Sequence, residues 1–461
     1  MPKPTFKQIA PFLVLAAVAA LAIFVKPVAD FADASKYSSS DIAWIIVATA
    51  LVFLMTPGLA FFYGGMVHRK NVISTMMKSV VAAGVVSVLW IFVGYSLCFG
   101  TDIGGFIGNP MTHLFFKDVN SGEPWGGAPT IPKTLFSLFQ LMFAIITPGL
   151  VVGAVAERIR FTSYILFTVL FSILVYAPLA HWSWHPDGFL FKMGALDFAG
   201  GTVVHISAGC AALAGALVLK RRQAHIEHRE IPPANIPYVL IGTGLLWFGW
   251  FGFNAGSALG ANALAVSAFA TTNTAAAAAG LSWMFFDVLR GKKPSVIGFC
   301  VGAVVGLVAI TPGAGFVAIP QSISIGVISA IISNIAVYYK QKSTLDDTLD
   351  VFPCHGLGGM VGMLLTGVFA TKAVNGAGAD GLIYGGTGFF LTQLKAMTIA
   401  VGYSFIVSFL IFKFINFVLP LRVSTEEEEI GLDASQHNEK YLQGTLLVHS
   451  NGKMKEEEMS H

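Results

Sequence analysis

Apolar runs of about 20 residues recur along nearly the whole chain, and they constrain its fold more than any other feature. A run of that length crosses the hydrocarbon core of a bilayer as one α-helix. Of the 461 residues 55% are hydrophobic and 11% charged, with a mean hydropathy of +0.72, which excludes a soluble globular protein of ordinary surface chemistry. We predict an all-α polytopic membrane protein with eleven transmembrane helices, near residues 42–64, 79–100, 134–156, 161–181, 201–219, 236–257, 263–289, 295–312, 318–339, 354–371 and 388–417.

Basic residues fall in alternate loops between these predicted spans. Cytoplasmic loops of membrane proteins carry an excess of lysine and arginine. We therefore place in the cytoplasm the loops that contain Arg69 and Lys70, Arg158 and Arg160, Lys220 to Arg229, Arg290 to Lys293, and Lys340 with Lys342. The prediction is a multi-pass protein of the inner (plasma) membrane, whose mature N-terminus lies outside and whose C-terminus lies in the cytoplasm.

The N-terminal segment, residues 1–34, differs from the predicted spans. Its apolar run at 9–25 is shorter, follows two lysines and precedes the small residues Ala29, Ala32 and Ala34. This pattern resembles a secretory signal peptide that is removed from the mature protein. An uncleaved extra span is the alternative, and we favour cleavage.

The remaining chain divides into a transmembrane domain, residues 40–419, and a C-terminal tail, residues 420–461. The tail contains four consecutive glutamates, Glu426 to Glu429, and a final stretch rich in lysine and glutamate. A segment of this composition buries too little apolar surface to fold by itself. We predict a cytoplasmic contact segment that is too polar to bury and partly disordered.

An internal repeat is indicated by Thr147-Pro148-Gly149 in the third span and Thr311-Pro312-Gly313 at the end of the eighth. Because five spans separate the two copies and five is odd, a duplicated five-helix unit has the opposite orientation to its copy, as in many transporters. We expect two inverted five-helix repeats plus a long tilted eleventh helix. The tripeptide also occurs at Thr56-Pro57-Gly58, so it is not unique to this pairing.

Two histidines open long apolar stretches five spans apart, His205 in Asp197-Phe-Ala-Gly-Gly-Thr-Val-Val-His205 and His355 in His355-Gly-Leu-Gly-Gly. An ionisable group at that depth is costly and marks a functional site by default. The alternative is a packing role, in which each ring donates to a backbone carbonyl. Both histidines begin a span, lie at equivalent places of the proposed repeat and precede small residues, so we favour the functional interpretation.

A pair of neutral imidazoles in an apolar pore favours one class of substrate. Each ring offers one donor and one acceptor, so two facing rings can share a proton. A permanent cation such as K⁺ faces a desolvation cost of order tens of kcal/mol in the Born limit. Ammonium avoids most of this cost, because it can leave a proton at the mouth and continue as neutral ammonia.

The mouth of such a pore needs aromatic faces that hold a cation by cation–π attraction. Trp182 and Trp184 follow the fourth span, and further aromatic residues stand three or four apart within Phe139 to Phe143 and Trp250 to Phe253. Core packing or a membrane-interface belt is the alternative for each single ring. For Asp197 we favour a helix N-cap over direct cation binding, and its charge then supports a cation at the mouth indirectly.

No enzyme is indicated, because no nucleophile elbow, metal-ligand cluster or phosphate loop rises above chance. The four cysteines lie singly in apolar runs, without disulfide or zinc spacing, and are interpreted as packing residues: Cys98, Cys210, Cys300 and Cys354. We expect neither a metal nor a cofactor.

Four segments resemble the Amt/Mep/Rh family of ammonium transporters, and its bacterial-type Amt branch in particular. They are Asp197 to His205, Ala156-Glu-Arg-Ile-Arg-Phe161, Trp250-Phe-Gly-Phe-Asn-Ala-Gly-Ser257 and Asp350-Val-Phe-Pro-Cys-His355-Gly. The resemblance extends from about Ser40 to Asp433. It implies eleven spans, a homotrimer and one ammonia-conducting pore through each subunit.

The same resemblance implies roles for single residues: ammonium binding at Phe143, Trp184 and Ser257, a gate of stacked rings at Phe139 and Phe253, pore histidines at His205 and His355, and support of the external site by Asp197. Glu429-Ile-Gly-Leu-Asp433 is similar to the tail by which PII-type signalling proteins plug the cytoplasmic exit, although an isoleucine interrupts the pattern. His185-Pro186-Asp187 stands where glycines are expected, so the mouth should have a different shape.

We therefore expect an ammonium transporter that recruits NH₄⁺ at an external aromatic site, deprotonates it and conducts NH₃ through a hydrophobic twin-histidine pore, with net proton co-transport. An ammonium sensor that signals through the C-terminal tail is one alternative, against which the absence of a fused catalytic domain speaks. An electroneutral Rh-like gas channel is another, for which the cation site at Trp184 and Ser257 would be superfluous.

Overall fold

The computed structural model describes residues 6–25, 36–120, 123–441, 445–450 and 453–458. Within them, eleven apolar helices coincide with the eleven predicted spans, and we number them 1 to 11: Ser39–Met66, Arg69–Phe99, Lys133–Val155, Phe161–Lys192, Gly201–Leu219, Ile236–Gly256, Ala263–Leu289, Val296–Ile310, Ile319–Gln341, Phe352–Phe369 and Thr387–Val418. Ten of these are long and apolar enough to cross a membrane by length and composition, and span 8 is shorter at 15 residues. The prediction of an all-α polytopic membrane protein is confirmed.

The other elements are short. One apolar helix, Phe6–Ala22, precedes the bundle, and the region of proposed signal cleavage at Ala29 to Ala34 lies outside the described residues. Short helices occupy Leu114–Phe116, Gln223–Ile226, Leu382–Tyr384, Thr425–Ile430 and Leu432–His437. Two antiparallel hairpins pair Asp102–Ile103 with Ile107–Gly108 and Thr445–Ser450 with Lys453–Glu458.

Four spans contain a π-helical turn, which is wider than a regular α-helical turn. The turns lie at Trp90–Gly94, Ser172–Tyr176, Gly201–Ile206 and Phe352–Leu357, in spans 2, 4, 5 and 10. Such turns often occur at functional sites, because they re-aim the side chains that they carry. The last two contain the predicted pore histidines, His205 and His355.

Span 3 lies at the centre of the bundle, since 94% of its apolar window is buried, against 33% for span 11 at the periphery. Spans 7 and 8 touch closely at small residues. A Cβ on Gly306 would lie 2.4 Å from the carbonyl oxygen of Ala275. Missing side chains therefore let the two backbones approach. All four cysteines are buried and free.

The predicted basic loops meet at one end of the bundle, which we call the basic face. Arg222, after span 5, lies 2.8 Å from the Asp346 carboxylate after span 9 and 2.6 Å from the Glu157 carboxylate after span 3. Arg160, after span 3, pairs with Glu427 of the tail at 2.6 Å. These contacts place the loops that follow odd-numbered spans on one side.

The prediction that the tail is too polar to bury is wrong at two of its acidic residues, one in each of its two helices. Glu428 is only 7% exposed and Asp433 only 3%. The Glu428 carboxylate accepts hydrogen bonds from the Gln223 N–H and the Arg422 guanidinium, both at 2.6 Å, and Asp433 accepts from the N–H groups at the start of span 2. Charged groups can be buried when they are hydrogen-bonded in this way, so the composition of the tail alone does not predict which of its residues are buried.

Candidate functional site

His205 and His355 face each other inside the bundle. Their Nδ1 atoms are 3.4 Å apart and their ring centroids 5.5 Å apart, and the residues are 1% and 3% exposed. A hydrogen bond between two Nδ1 atoms requires one ring to donate and the other to accept. Among the described residues, the Nε2 atom of His205 has no hydrogen-bond partner. The pair therefore offers both a shared proton and a free ring nitrogen.

The two rings meet because spans 5 and 10 cross in backbone contact one turn after His205 and directly after His355. A Cβ on Gly209 would lie 2.1 Å from the backbone nitrogen of Gly356, far inside any allowed contact. Glycine is required at this position, since any larger residue would push the two spans apart. The small residues noted after each histidine in the sequence thus hold the rings together.

Each of the two spans is capped by a buried aspartate. The Asp197 carboxylate accepts hydrogen bonds from the backbone N–H groups of Gly200, Gly201 and Thr202, at 2.9, 2.6 and 2.8 Å, and from the Thr202 hydroxyl. The carboxylate thus caps the backbone N–H groups at the start of the span, as the sequence predicted, although the N-cap residue itself is Gly200. The charge of Asp197 is balanced by N–H dipoles at the start of the helix that carries His205.

Asp347 performs the same task for span 10, and the sequence analysis missed it. Its carboxylate accepts hydrogen bonds from the N–H groups of Val351 and Phe352, at 3.1 and 2.7 Å. Burial raises the pKa of Asp347 to about 6. The spacing in the sequence indicates this role, because Asp347 precedes His355 by eight residues, as Asp197 precedes His205.

The segments before these two spans also pack reciprocally, as an inverted repeat requires. The Phe198 N–H, before span 5, donates to the Pro312 carbonyl after span 8 at 3.1 Å. The Leu349 N–H, before span 10, donates to the Gly153 carbonyl of span 3, also at 3.1 Å. Each half of the chain therefore supports the histidine-bearing span of the other half.

A narrow cavity runs beside the histidine pair. Apart from the two imidazoles, its lining is almost wholly apolar and comes from spans 1, 3, 5, 6, 8 and 10: Met55, Leu59, Phe62, Ile146, Leu150, Val204, His205, Leu246, Trp250, Phe253, Val304 and His355. The Trp250 ring stacks on His205 at 5.3 Å and donates to the Thr311 hydroxyl at 2.9 Å. The histidines thus face a cavity inside the protein rather than lipid.

A row of aromatic rings leads from this cavity towards the end of the bundle opposite the basic face. Phe253 packs on Phe143 with centroids 4.3 Å apart, and Phe143 meets Trp184 edge-on at 5.8 Å. Among the described residues, Phe139 contacts Phe143, at 5.0 Å, rather than Phe253. The ring that packs on Phe253 is therefore Phe143, which corrects the predicted stacking of Phe139 with Phe253. Sequence spacing puts both Phe139 and Phe143 on one helical face and cannot decide between them.

The half-buried residues at the outer end of this row are Trp184 and Ser257. The Trp184 indole N–H donates to the backbone carbonyl of Asp197 at 3.0 Å, which fixes the orientation of the ring. The Ser257 hydroxyl donates to the Phe253 carbonyl at 2.8 Å, so its lone pairs remain available to accept. Trp182, the second predicted mouth residue, is instead buried and donates to the Phe106 carbonyl.

A further histidine near the mouth, His181, was not among the residues predicted from the sequence. The His181 ring lies between two acceptors, the Cys98 carbonyl at 2.8 Å and the Asp102 carboxylate at 2.9 Å, and His185 stacks on it at 4.4 Å. These contacts determine the conformation of the chain at His185-Pro186-Asp187, the segment where the family resemblance led us to expect glycines. They anchor the end of span 4 that carries Trp184.

On the basic face, ion pairs determine the protonation of the buried acids. Burial would raise the pKa of the Asp346 carboxyl, but Arg158 and Arg222 hold it well below its usual range. Burial likewise opposes ionisation of Glu157, and Arg222 lowers its pKa below the ordinary value. Among the residues that the structure describes, no group of three or more histidine, cysteine or acidic side chains could hold a metal ion.

Comparison with known proteins identifies the family of the chain. The Ammonium Transporter Family matches residues 43–441. The chain is 48% identical to an ammonium transporter of Aquifex aeolicus, over 89% of this chain and 95% of the relative, and 44% identical to ammonium transporter Amt1 of Archaeoglobus fulgidus, over 87% and 99%.

Solved structures show the same fold. Candida albicans Mep2 superimposes with a TM-score of 0.80 at 36% identity, covering 86% of this chain and 89% of Mep2. A structure described as a sensor Amt protein superimposes with a TM-score of 0.78 at 30% identity, covering 86% and 98%. The chain therefore belongs to the Ammonium Transporter Family of multi-pass membrane proteins.

Proposed function

We propose that this ammonium transporter recruits NH₄⁺ at Trp184, Phe143 and Ser257, deprotonates it at the Phe143–Phe253 pair, and conducts NH₃ past His205 and His355. The observation that carries the proposal is the placement of both imidazoles on one apolar cavity, with Nδ1 atoms 3.4 Å apart. Such a cavity suits a small neutral molecule that hydrogen-bonds to ring nitrogens.

Electrostatics decides which form of the substrate passes. A bare cation in an apolar cavity without a counter-charge faces a desolvation cost of order tens of kcal/mol in the Born limit. Ammonia carries no net charge and replaces its water hydrogen bonds with contacts to the imidazoles. The pore therefore selects ammonia from the ammonium equilibrium and rejects Na⁺ and K⁺.

The mouth has the groups that a cation needs before it loses its proton. The Trp184 and Phe143 rings offer cation–π attraction, and the Ser257 oxygen is free to accept a hydrogen bond from N–H. Asp197 contributes a nearby fixed negative charge, while its own oxygens are occupied by backbone N–H groups. We assign Asp197 a positioning role, because its carbonyl also orients Trp184.

The fate of the proton follows from the histidine pair. Removal of H⁺ from NH₄⁺ leaves NH₃, and the shared hydrogen bond between the two rings provides a route along which that proton can be relayed. The two products then cross together. Transport is electrogenic in this scheme, with one positive charge moved for each ammonium.

The proposed setting is the inner membrane, with the basic face in the cytoplasm in accordance with the excess of lysine and arginine there. We further propose a homotrimer, removal of residues 1–34 as a signal peptide, and docking of a PII-type protein at the basic face. These four proposals rest on the sequence patterns and the family resemblance.

Uptake measurements test the proposal. Vesicles with the reconstituted wild-type protein should accumulate isotopically labelled ammonium, and His205→Ala should lose most of this flux. Gly402→Ala is the matched control, because a Cβ there has nothing within 4 Å. Equal flux through wild type and His205→Ala, both folded, would refute the twin-histidine pore.

A sensor is the second candidate, and two observations favour it. One structural relative is described as a sensor Amt protein, and the tail here is docked on the body by buried acids. Growth of an ammonium-uptake-deficient strain separates the two functions. Rescue by this chain supports transport, whereas ammonium binding without rescue points to sensing.

A further inference from the structure

Two cations share one aromatic ring where spans 7 and 9 end at the basic face. The guanidinium carbon of Arg290 and the ammonium nitrogen of Lys342 each lie 4.0 Å from the centroid of the Tyr338 ring. The Lys342 ammonium also donates to the Tyr338 hydroxyl. Attraction to the ring partly offsets the repulsion between these like charges. An anion placed between them would remove that repulsion.

No acid within the described residues neutralises this pair. Arg290 donates to the neutral Asn334 amide oxygen at 2.8 Å, and neither Arg290 nor Lys342 forms an ion pair with a carboxylate of the described chain. The nearby carboxylate, Asp287, is occupied by Lys292 at 3.0 Å and by the Asn334 amide at 3.2 Å. The cluster therefore keeps an excess of positive charge.

The surroundings place this charge at the boundary of the membrane. Three large apolar or aromatic side chains beside it are exposed, Leu289 at 83%, Tyr339 at 67% and Phe285 at 56%. In a membrane-spanning bundle such side chains contact hydrocarbon wherever no neighbouring subunit covers them. The chain changes at Leu289 from exposed apolar residues to basic ones, and headgroup phosphates lie at that level of a bilayer.

We propose that Arg290, Lys342 and Tyr338 form a binding site for the phosphate of an anionic lipid, whose acyl chains lie along Leu289, Tyr339 and Phe285. A guanidinium presents a planar fork of donors that matches phosphate oxygens, and a lysine adds a point charge. A soluble anion would gain the same charge contacts but none of the apolar ones. The site is separate from the pore, so it stands or falls independently of the proposed transport.

Native mass spectrometry of the full-length protein provides the test. The protein is incubated in detergent with an equimolar mixture of phosphatidylglycerol and phosphatidylcholine, and the retained lipids are identified. Wild type should retain phosphatidylglycerol in preference to phosphatidylcholine. In the double variant Arg290→Gln/Lys342→Gln, the ratio of retained phosphatidylglycerol to retained phosphatidylcholine should fall on the order of tenfold. The matched control, Lys395→Gln/Lys413→Gln, removes the same charge from exposed positions of span 11 and should retain wild-type lipid binding.

Four results would overturn the inference. Unchanged phosphatidylglycerol retention in the Arg290→Gln/Lys342→Gln variant would show that these residues do not hold the lipid, and an equal loss in the control would reduce the effect to net charge. Displacement of the lipid by inorganic phosphate would point to a free-anion site. Loss of the oligomer with lipid retained would instead identify a subunit contact. Ammonium flux of each variant, measured in parallel, reports whether the fold and the pore are intact.

Discussion

At the scale of single residues, Asp197 links the pore to its mouth. Its carboxylate caps the helix that carries His205, and its backbone carbonyl orients the Trp184 indole. An asparagine could accept only with its one oxygen and would direct an N–H₂ donor towards backbone N–H groups. The carboxylate charge is therefore part of the structure of the site as well as of its electrostatics.

We predict that Asp197→Asn lowers the free energy of unfolding by about 1–3 kcal/mol, because buried N–H groups lose their acceptor. Ammonium flux should fall with it. Thermal unfolding in detergent measures the first effect and vesicle uptake the second. Asp187→Asn is the control, since Asp187 is 53% exposed and its ion pair with Lys192 contributes little. Wild-type stability and flux in Asp197→Asn would contradict the assigned role.

A second prediction concerns the cation site. Trp184→Leu removes the ring face, and cation–π attraction of about 1–2 kcal/mol corresponds to an increase in the half-saturating ammonium concentration on the order of tenfold. Uptake as a function of ammonium concentration provides the measurement. Trp182→Phe should leave that concentration unchanged, because Trp182 is buried against Phe106 away from the mouth. A shift of equal size in both variants would argue against recruitment at Trp184.

The sequence predicted most of these single residues, and its failures have physical causes. His205, His355 and the capping role of Asp197 follow from the cost of polar groups in apolar helices. The pairing of Phe253 with Phe143 rather than Phe139 does not follow, because it depends on how spans 3 and 6 are rotated about their axes. Asp347 was missed because its eight-residue distance to His355 has meaning only when the two halves are compared.

At the scale of elements, spans 5 and 10 matter through their crossing point. A Cβ on Gly209 would collide with the Gly356 backbone, which has no flexible side chain that could yield. The π-helical turn at Gly201–Ile206 lies just before this crossing and the one at Phe352–Leu357 includes it, and each turn carries one of the two histidines. Patterns based on 3.6 residues per turn cannot reveal such turns.

Gly209→Ala should therefore separate the two spans and abolish ammonium flux. It should also lower the free energy of unfolding by several kcal/mol, because the added methyl group is overpacked against backbone. Size-exclusion profiles, thermal unfolding and uptake are the measurements. Gly402→Ala in span 11 again provides the comparison, with open space around the added methyl group. If Gly209→Ala retained full flux, the close crossing would not be needed to pair the histidines.

At the scale of the whole molecule, the basic face ties together loops that are distant in the chain. Arg222 is 9% exposed and bridges Glu157 and Asp346, so three loops share one buried ion-pair network. The sequence predicted that these loops share a side, because their charges follow a topological rule. It did not predict the network or the docked tail, since both require acids and arginines from distant segments to meet.

Arg222→Gln should leave the buried Glu157 carboxylate without its cation and Asp346 with Arg158 alone, at a cost of about 3–5 kcal/mol of stability at neutral pH. Because the pKa of Asp346 and that of Glu157 are lowered in the folded protein, the network stabilises wild type above the usual carboxyl pKa range and loses this effect as the pH falls from that range through the lowered pKa values. The difference in unfolding temperature between wild type and variant should therefore be full at pH 7 and shrink as the pH falls below about 4. Arg229→Gln, which breaks an exposed ion pair, should show little difference at either pH.

Membrane current on ammonium addition tests the central claim most directly. Vesicles with wild-type protein should give a current that saturates with ammonium, His205→Ala should lose most of it, and Trp184→Leu should require more ammonium for the same response. Labelled ammonium uptake in the same vesicles confirms that the protein is active. Uptake without current in wild type would contradict relay of the proton with ammonia through the histidine pair.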